Sequence, residues 1–194
     1  LLAATAVGVF ALTLGDAPFS PGEVLTTLLG FGEPRAELVI IEWRLPRVLA
    51  ALVFGIALGI GGAIFQSLTR NPLGSPDVIG FDAGAYTGAL IVITTMGISV
   101  ASTAASALAG GAATALLVYL LAFRRGFTGF RLIIVGIGVA SMLASVNTWI
   151  ILNADLRIAM LASTWGAGSL NVITAEQVAI AACVIVPIGI AVAT

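Results

Sequence analysis

Residues 44–84 read RLPRVLAALVFGIALGIGGAIFQSLTRNPLGSPDVIGFDAG, and this stretch decides the fold. An Arg-Leu-Pro-Arg box opens a charge-free apolar run, Val48–Thr69. As a helix that run is about 33 Å long, enough to cross a hydrocarbon layer of about 30 Å. It closes on Arg70-Asn71-Pro72-Leu73-Gly74-Ser75-Pro76, where two prolines bar a regular helix. Small residues recur every fourth position, at Ala51, Gly55, Gly59 and Ala63, and again at Gly80, Gly84 and Gly88. Such rows let helix backbones approach closely. A membrane helix, a sharp connection and a second closely packed helix follow from these residues alone.

The rest of the chain continues that pattern. Hydrophobic residues make up 60% of it and charged residues 9%, against about 25% charged in a soluble domain. The chain is therefore an integral membrane protein of the all-α class. Ala83–Phe123 has no charge and at about 61 Å is too long for one crossing, so it folds back, with Gly97-Ile98-Ser99 as the turn. Six spans result, at 1–14, 48–69, 83–97, 100–123, 132–154 and 177–194. The first and last sit at the ends of the chain inside apolar runs, which reads as a piece of a longer protein.

Composition excludes several chemistries. There is no His and no Lys, which removes His-based metal sites, Ser-His triads and Lys Schiff bases. A single cysteine, Cys183, excludes an internal disulfide. A net charge of −1 leaves no basic footprint for nucleic acid. No phosphate-binding loop motif is present. No carboxylate falls at the middle of a span, where ion-coupled transporters place them. No cofactor and no metal ligand set is expected.

Orientation follows from arginine. Arg124, Arg125 and Arg131 lie between spans four and five, and Arg70 between spans two and three. That side is read as cytoplasmic, and the long connection between spans one and two as external. In that connection Ser20-Pro21-Gly22-Glu23 is a helix start with Ser as N-cap, Pro in the first turn and an acid beside it. Val24, Leu25, Leu28 and Leu29 fall on one face, so a short amphipathic helix at the interface is expected, with Trp43 as an interfacial anchor. In span five, Ser141, Ser145 and Thr148 share a face, with Asn147 close by. Polar groups there either bond between helices or line a pathway.

The order and spacing of E-W-R-L-P-R-V-L at 42–49, R-N-P-L-G-S-P-D-V-I-G-F at 70–81, G-x-x-x-G-A at 80–85, F-R-L-I-I-V-G-I-G at 130–138 and W-G-A-G-S-L at 165–170 resemble the FecCD/BtuC-like permeases. These are the membrane subunits of type II ABC importers for iron–siderophore complexes, haem and vitamin B12. The wording is most similar to the enterobactin-type ferric siderophore branch. The resemblance implies a helix bundle of about ten spans, of which six are present here. It implies a second permease subunit, a pair of cytoplasmic ATPases, an extracytoplasmic substrate-binding protein, a ferric siderophore as cargo and residence in the bacterial cytoplasmic membrane. It implies no covalent chemistry on this chain.

Residue by residue, the resemblance makes Arg44 and Arg47 the external arginines that dock the binding protein, the other reading being headgroup anchoring. It makes Asn71 and Leu73 part of a cytoplasmic gate. Thr128 and Gly129, with Phe130, align with a second gate, although Gly-Phe departs from the small hydroxyl residues usual there. Asp82 also departs from the family pattern and is read as the N-terminal cap of the third span. Ser141, Ser145, Asn147 and Thr148 flank the central pathway. Haem or vitamin B12 as cargo, and a non-transporting scaffold subunit, stand as alternatives.

Overall fold

The computed structural model describes residues 2–72, 74–97, 99–123, 129–171 and 173–193. Among these the regular elements are all helical: α1 Leu2–Thr13, α2 Pro21–Leu28, α3 Pro34–Glu37, α4 Leu45–Thr69, α5 Phe81–Met96, α6 Val100–Ala122, α7 Gly129–Asn153, α8 Leu156–Gly166 and α9 Ala175–Ala193. A π-helical stretch, Leu38–Arg44, joins α3 to α4, and a 3-10 turn, Pro76–Ile79, precedes α5. Four runs are long and apolar enough to cross a membrane, at Pro34–Thr69, Val100–Ala122, Gly129–Asn153 and Ala175–Val192. The chain falls into two compact units, Leu1–Ile60 with Ser169–Thr194, and Gly61–Gly168.

In the first unit Leu12, Val24, Ala36 and Ile40 form the core. The start of α2 is held by a reciprocal capping box. Glu23 N–H donates to Ser20 Oγ at 3.2 Å and Ser20 N–H donates to the Glu23 carboxylate at 2.7 Å, which satisfies two N–H groups that a helix start leaves unpaired. These bonds, the backbone one first, hold the Glu23 carboxyl below its usual value. The single apolar face expected for α2 divides. Val24 and Thr27 turn inward, whereas Leu25, Leu28 and Leu29 are exposed. The i, i+3 pair at 24 and 27 meets the core, so the leucines occupy the next sector of the helix.

The second span starts earlier than Val48. Pro46 has no N–H and its ring crowds the carbonyl four residues back. Directly upstream the helix widens to the π register, with the Leu45 N–H reaching Ile40 O. The chain therefore stays helical from Pro34 through Thr69, 36 residues in all. Ala51, Gly55, Gly59 and Ala63 are exposed along it, and a Cβ added at Gly55 or Gly59 meets nothing within 4 Å. This small-residue row packs against no described part of the chain.

The second unit uses its glycines differently. α5 and α6 form a hairpin in which Gly84, Gly88 and Gly110 bring the two backbones together; a Cβ at Gly88 would strike the Ser106 carbonyl, and one at Gly110 the Gly84 carbonyl. Of the expected turn residues, Gly97 ends α5 at φ 82°, and Ile98 lies outside the described residues. Leu90 and Ile93 of α5 pack with Ala162 of α8. Helix α8 falls in a connection for which no helix was expected.

The connection between α4 and α5 does not stay at one end of the bundle. It leaves Thr69 beside Gly129, the first residue of α7, where a Cβ would lie 2.8 Å from Thr69 O. It then climbs along α7. Ile79 packs against Gly136, and Gly80 lies against Ala140. Gly129 to Ala140 is eleven residues, or about 16 Å along the helix axis, about half of a hydrocarbon core of about 30 Å. α5 thus begins near the middle of α7, which explains its length of only 16 residues. Ile79 anchors the climb by entering a core with Phe65, Val118, Leu132 and Val139.

Candidate functional site

Irregular backbone at membrane depth is tolerated only where protein buries it or a water-filled cavity borders it. The climb meets both conditions. Ile79 and Gly80 are buried. On its other side lies an open cavity of about 560 Å³, lined by Asp77, Asp82, Tyr86, Ser141, Asn147, Thr148 and Trp165 among others. Two carboxylates, Asp77 and Asp82, therefore line a cavity beside α7, although neither belongs to the middle of a span in the linear sequence. Asp82 does not cap α5 from outside. The N-cap position is Gly80, in the left-handed conformation, and Asp82 sits in the first turn, exposed to the cavity. Asp77 is set by the preceding Ser75, whose Oγ caps the 3-10 turn through the Asp77 N–H.

Of the four expected pathway residues, three line this cavity and one does not. Ser141, Asn147 and Thr148 border it; Ser145 is exposed elsewhere on α7. The hydroxyls of Ser141, Ser145 and Thr148 each donate to the carbonyl four residues back, at 2.8, 3.0 and 2.9 Å. Asn147 is different. It is only 5% exposed; its Nδ2 donates to Ala83 O at 3.2 Å, and its Oδ1 accepts from Thr87 Oγ1 at 2.7 Å. It is the polar strut between α7 and α5. Of the two readings of this polar face, the interhelical one holds for Asn147.

The facing wall is aromatic. Tyr86 and Trp165 stack with centroids 6.1 Å apart and planes 5° from parallel. The Tyr86 hydroxyl donates to Ala162 O at 3.1 Å. Neither ring was singled out as a site residue in sequence. Tyr86 stands in an otherwise small and apolar stretch, and Trp165 reads there only as part of an external motif. A tyrosine inside a span needs a partner for its hydroxyl, and that requirement is the signal that points to α8.

At the gate positions the structure describes Asn71 and Gly129; Leu73 and Thr128 lie outside the described residues, as do Arg124 and Arg125. Asn71 is half-buried and closes a turn, its carbonyl accepting from Gly74 N–H at 3.0 Å. The preceding Arg70 takes φ 50°, a left-handed conformation that ends α4 at some cost for a residue with a Cβ. The close approach of Gly129 to Thr69 brings the end of α4 beside the start of α7.

The two box arginines are used differently. Arg44 is half-buried, donating from Nη1 to Leu12 O at 2.8 Å and from Nη2 to Ala17 O at 2.6 Å, with its guanidinium 5.4 Å above the Phe19 ring. A helix leaves its last four carbonyls without internal partners. In α1, Phe10 O accepts from the Thr13 hydroxyl, Ala11 O from Leu14 N–H, Leu12 O from Arg44 and Thr13 O from Phe19 N–H. Arg44 thus completes the end of α1 and places a cation where the helix dipole favours one. Gly15 makes room for it: at φ 140° a Cβ there would lie 2.6 Å from Arg44 Nη2. Arg47 is exposed and, among the described residues, bonds from Nη2 to Asn171 O at 2.9 Å.

Comparison with known proteins agrees with this architecture. The FecCD transport family model matches residues 2–194. The chain is 47% identical over 191 residues to the ferric enterobactin transport system permease protein FepG of Escherichia coli K12, covering 98% of this chain and 58% of that protein. It is 35% identical over 174 residues to the iron-uptake system permease protein FeuC of Bacillus subtilis 168, covering 84% of this chain and 52% of that one. A metal-chelate type ABC transporter solved in an inward-facing conformation superimposes with a TM-score of 0.78 at 26% identity, over 92% of this chain and 54% of that one. The chain spans about half the length of the curated relatives it matches. It belongs to the FecCD transport family, a membrane family of transport permeases rather than enzymes.

Proposed function

We propose that this FecCD-family chain is part of a permease subunit that carries a ferric siderophore across the bacterial cytoplasmic membrane. A second permease subunit completes the pathway, an external binding protein delivers the cargo, and a pair of ATPases on the inner side supplies the energy. The observation that carries this reading is the cavity beside Asp77 and the start of α5. It is an open space of about 560 Å³ whose wall carries Asp77, Asp82 and polar groups of α7, in a chain closely related to siderophore permeases.

Within that reading Ser141, Asn147 and Thr148 border the path, Asn71 with Leu73 and Thr128 with Gly129 form its inner gate, and Arg47 is the docking cation of the Arg-Leu-Pro-Arg box. Arg44, bonded to main-chain carbonyls, holds the docking platform in shape. The deciding experiment deletes the full-length gene and follows uptake of iron-55 as ferric siderophore, as haem, and of labelled vitamin B12. Loss of siderophore uptake alone, restored from a plasmid, is the expected result. Unchanged siderophore uptake, or loss of haem or vitamin B12 uptake instead, overturns the assignment.

A further inference from the structure

Arg44 and Arg47 stand three residues apart on one helical face, and both line a second open cavity, of about 380 Å³, between the end of α1 and the start of α4. Each guanidinium carries several N–H donors. Arg44 spends two of them on Leu12 O and Ala17 O, and Arg47 one on Asn171 O; the others have no partner among the described residues. Asp16, in the same wall, is exposed and makes no hydrogen bond or ion pair among the described residues. The floor is apolar, with Ala11 from the last turn of α1, Leu14, and Val48, which opens the charge-free run. The cavity therefore lies where two apolar helices leave the hydrocarbon layer. Trp43 stands on its rim, 52% exposed, and indoles collect at that level of a membrane. A free anion or a protein carboxylate would use the two cations alone. The apolar floor and the facing carboxylate ask for a ligand that also carries a cation and a hydrocarbon chain.

We infer that this cavity is a binding site for a glycerophospholipid of the outer leaflet with a phosphoethanolamine headgroup. The phosphate accepts from the unspent N–H groups of Arg44 and Arg47, a charge-assisted contact for which guanidinium is well shaped. The primary ammonium donates to the Asp16 carboxylate, and the upper part of an acyl chain lies on Ala11, Leu14 and Val48. A choline headgroup has no N–H to give Asp16, and a glycerol headgroup has no cation, so each keeps only the phosphate half of the site. This goes beyond the docking role given to Arg47 above. Arg47 has donors to spare for a second partner after one bond to phosphate, so the two roles are tested separately.

The test uses the full-length permease with its partner subunit and ATPase, in bilayers of phosphatidylethanolamine, phosphatidylcholine and phosphatidylglycerol in equal parts. The complex is taken into mild detergent, and the phospholipid still bound is identified by native mass spectrometry. Wild type should keep phosphatidylethanolamine about tenfold over the other two. Arg47→Gln, which gives up one exposed bond of the fold, should keep about tenfold less of it. Asp16→Asn should still keep phospholipid but without preference for ethanolamine, because the neutral amide no longer pairs with the ammonium. Inorganic phosphate in the wash should leave the lipid in place. Equal retention by wild type and Arg47→Gln, an unchanged preference in Asp16→Asn, or displacement by inorganic phosphate overturns the lipid site. Binding-protein affinity, measured on the same variants, reports docking apart from it: Arg47→Gln that keeps its lipid but docks poorly overturns the lipid site and leaves the docking role standing.

Discussion

Replacing Arg44 with Gln should cost far more stability than replacing Arg47, although the two stand three residues apart in one box. Arg44 makes two hydrogen bonds from a charged donor, at 2.8 and 2.6 Å, each worth about 1.5–3 kcal/mol. The Phe19 contact adds about 0.5–1 kcal/mol and the helix terminus about 0.3–1 kcal/mol. These terms share one side chain and are not additive, so the low end, about 3 kcal/mol, is the working figure. Arg47 stands to lose one exposed bond, about 1 kcal/mol or less. Thermal unfolding of the full-length protein in detergent should show Arg44→Gln down by about 6 °C or more and Arg47→Gln within about 2 °C of wild type. Gly15→Ala keeps both charges but intrudes on the guanidinium, and should resemble Arg44→Gln. Affinity for the binding protein should divide the other way, with Arg47→Glu weakening it about 30-fold or more. An Arg44→Gln protein as stable as wild type that no longer docks would refute the clamp and return Arg44 to the docking surface.

Asn147→Leu removes the strut between α7 and α5 while keeping bulk. At about 0.6 kcal/mol for a mean interhelical bond in a membrane and about 1.7 at most, two bonds put the loss at about 1–3 kcal/mol, read as a lower unfolding temperature; no change would make the pair incidental. Gly88→Val forces a side chain into the Ser106 backbone, so the α5–α6 hairpin should fail to form and the protein should disappear from the membrane fraction, whereas normal yield would contradict the close approach. In a Cys183→Ala background, cysteines at 77 and 82 should react with a small water-soluble thiol reagent in purified permease, while one at the buried position 79 should not; inert 77 and 82 would mean a dry cavity. Glu23 has a lowered pKa, so its contribution to capping α2 is present at neutral pH and lost as pH falls below 4.5 through the lowered value. Hydrogen exchange at Ser20 and at residues 22–24 should rise over that window and should not do so in Glu23→Gln, which retains the cap without a titrating group; identical pH profiles would dissociate the carboxylate from the cap.

Charge-free runs of membrane length and the arginines between them are local properties, and they determined the all-α class, the positions of the long helices, the α2 capping box and the family resemblance. Small-xxx-small spacing told which faces suit close packing, but two rows with the same spacing met different fates. Gly84 and Gly88 are closed by α6, while Gly55 and Gly59 stay open, because occupancy depends on which helix arrives. The resemblance likewise gave Arg44 and Arg47 one shared role, whereas carbonyls at and just after the end of α1, distant in sequence, hold Arg44. The fate of Asp77 and Asp82 was the least legible in sequence. Proline and glycine marked 71–80 as irregular, but only the packing of Ile79 on Gly136 and of Gly80 on Ala140 laid the end of that segment along α7 and set Asp77 and Asp82 in a cavity wall. Periodicity reports what a residue's own helix does with it; depth and partnership are set by contacts far apart in the chain, and those exist only once the helices have packed.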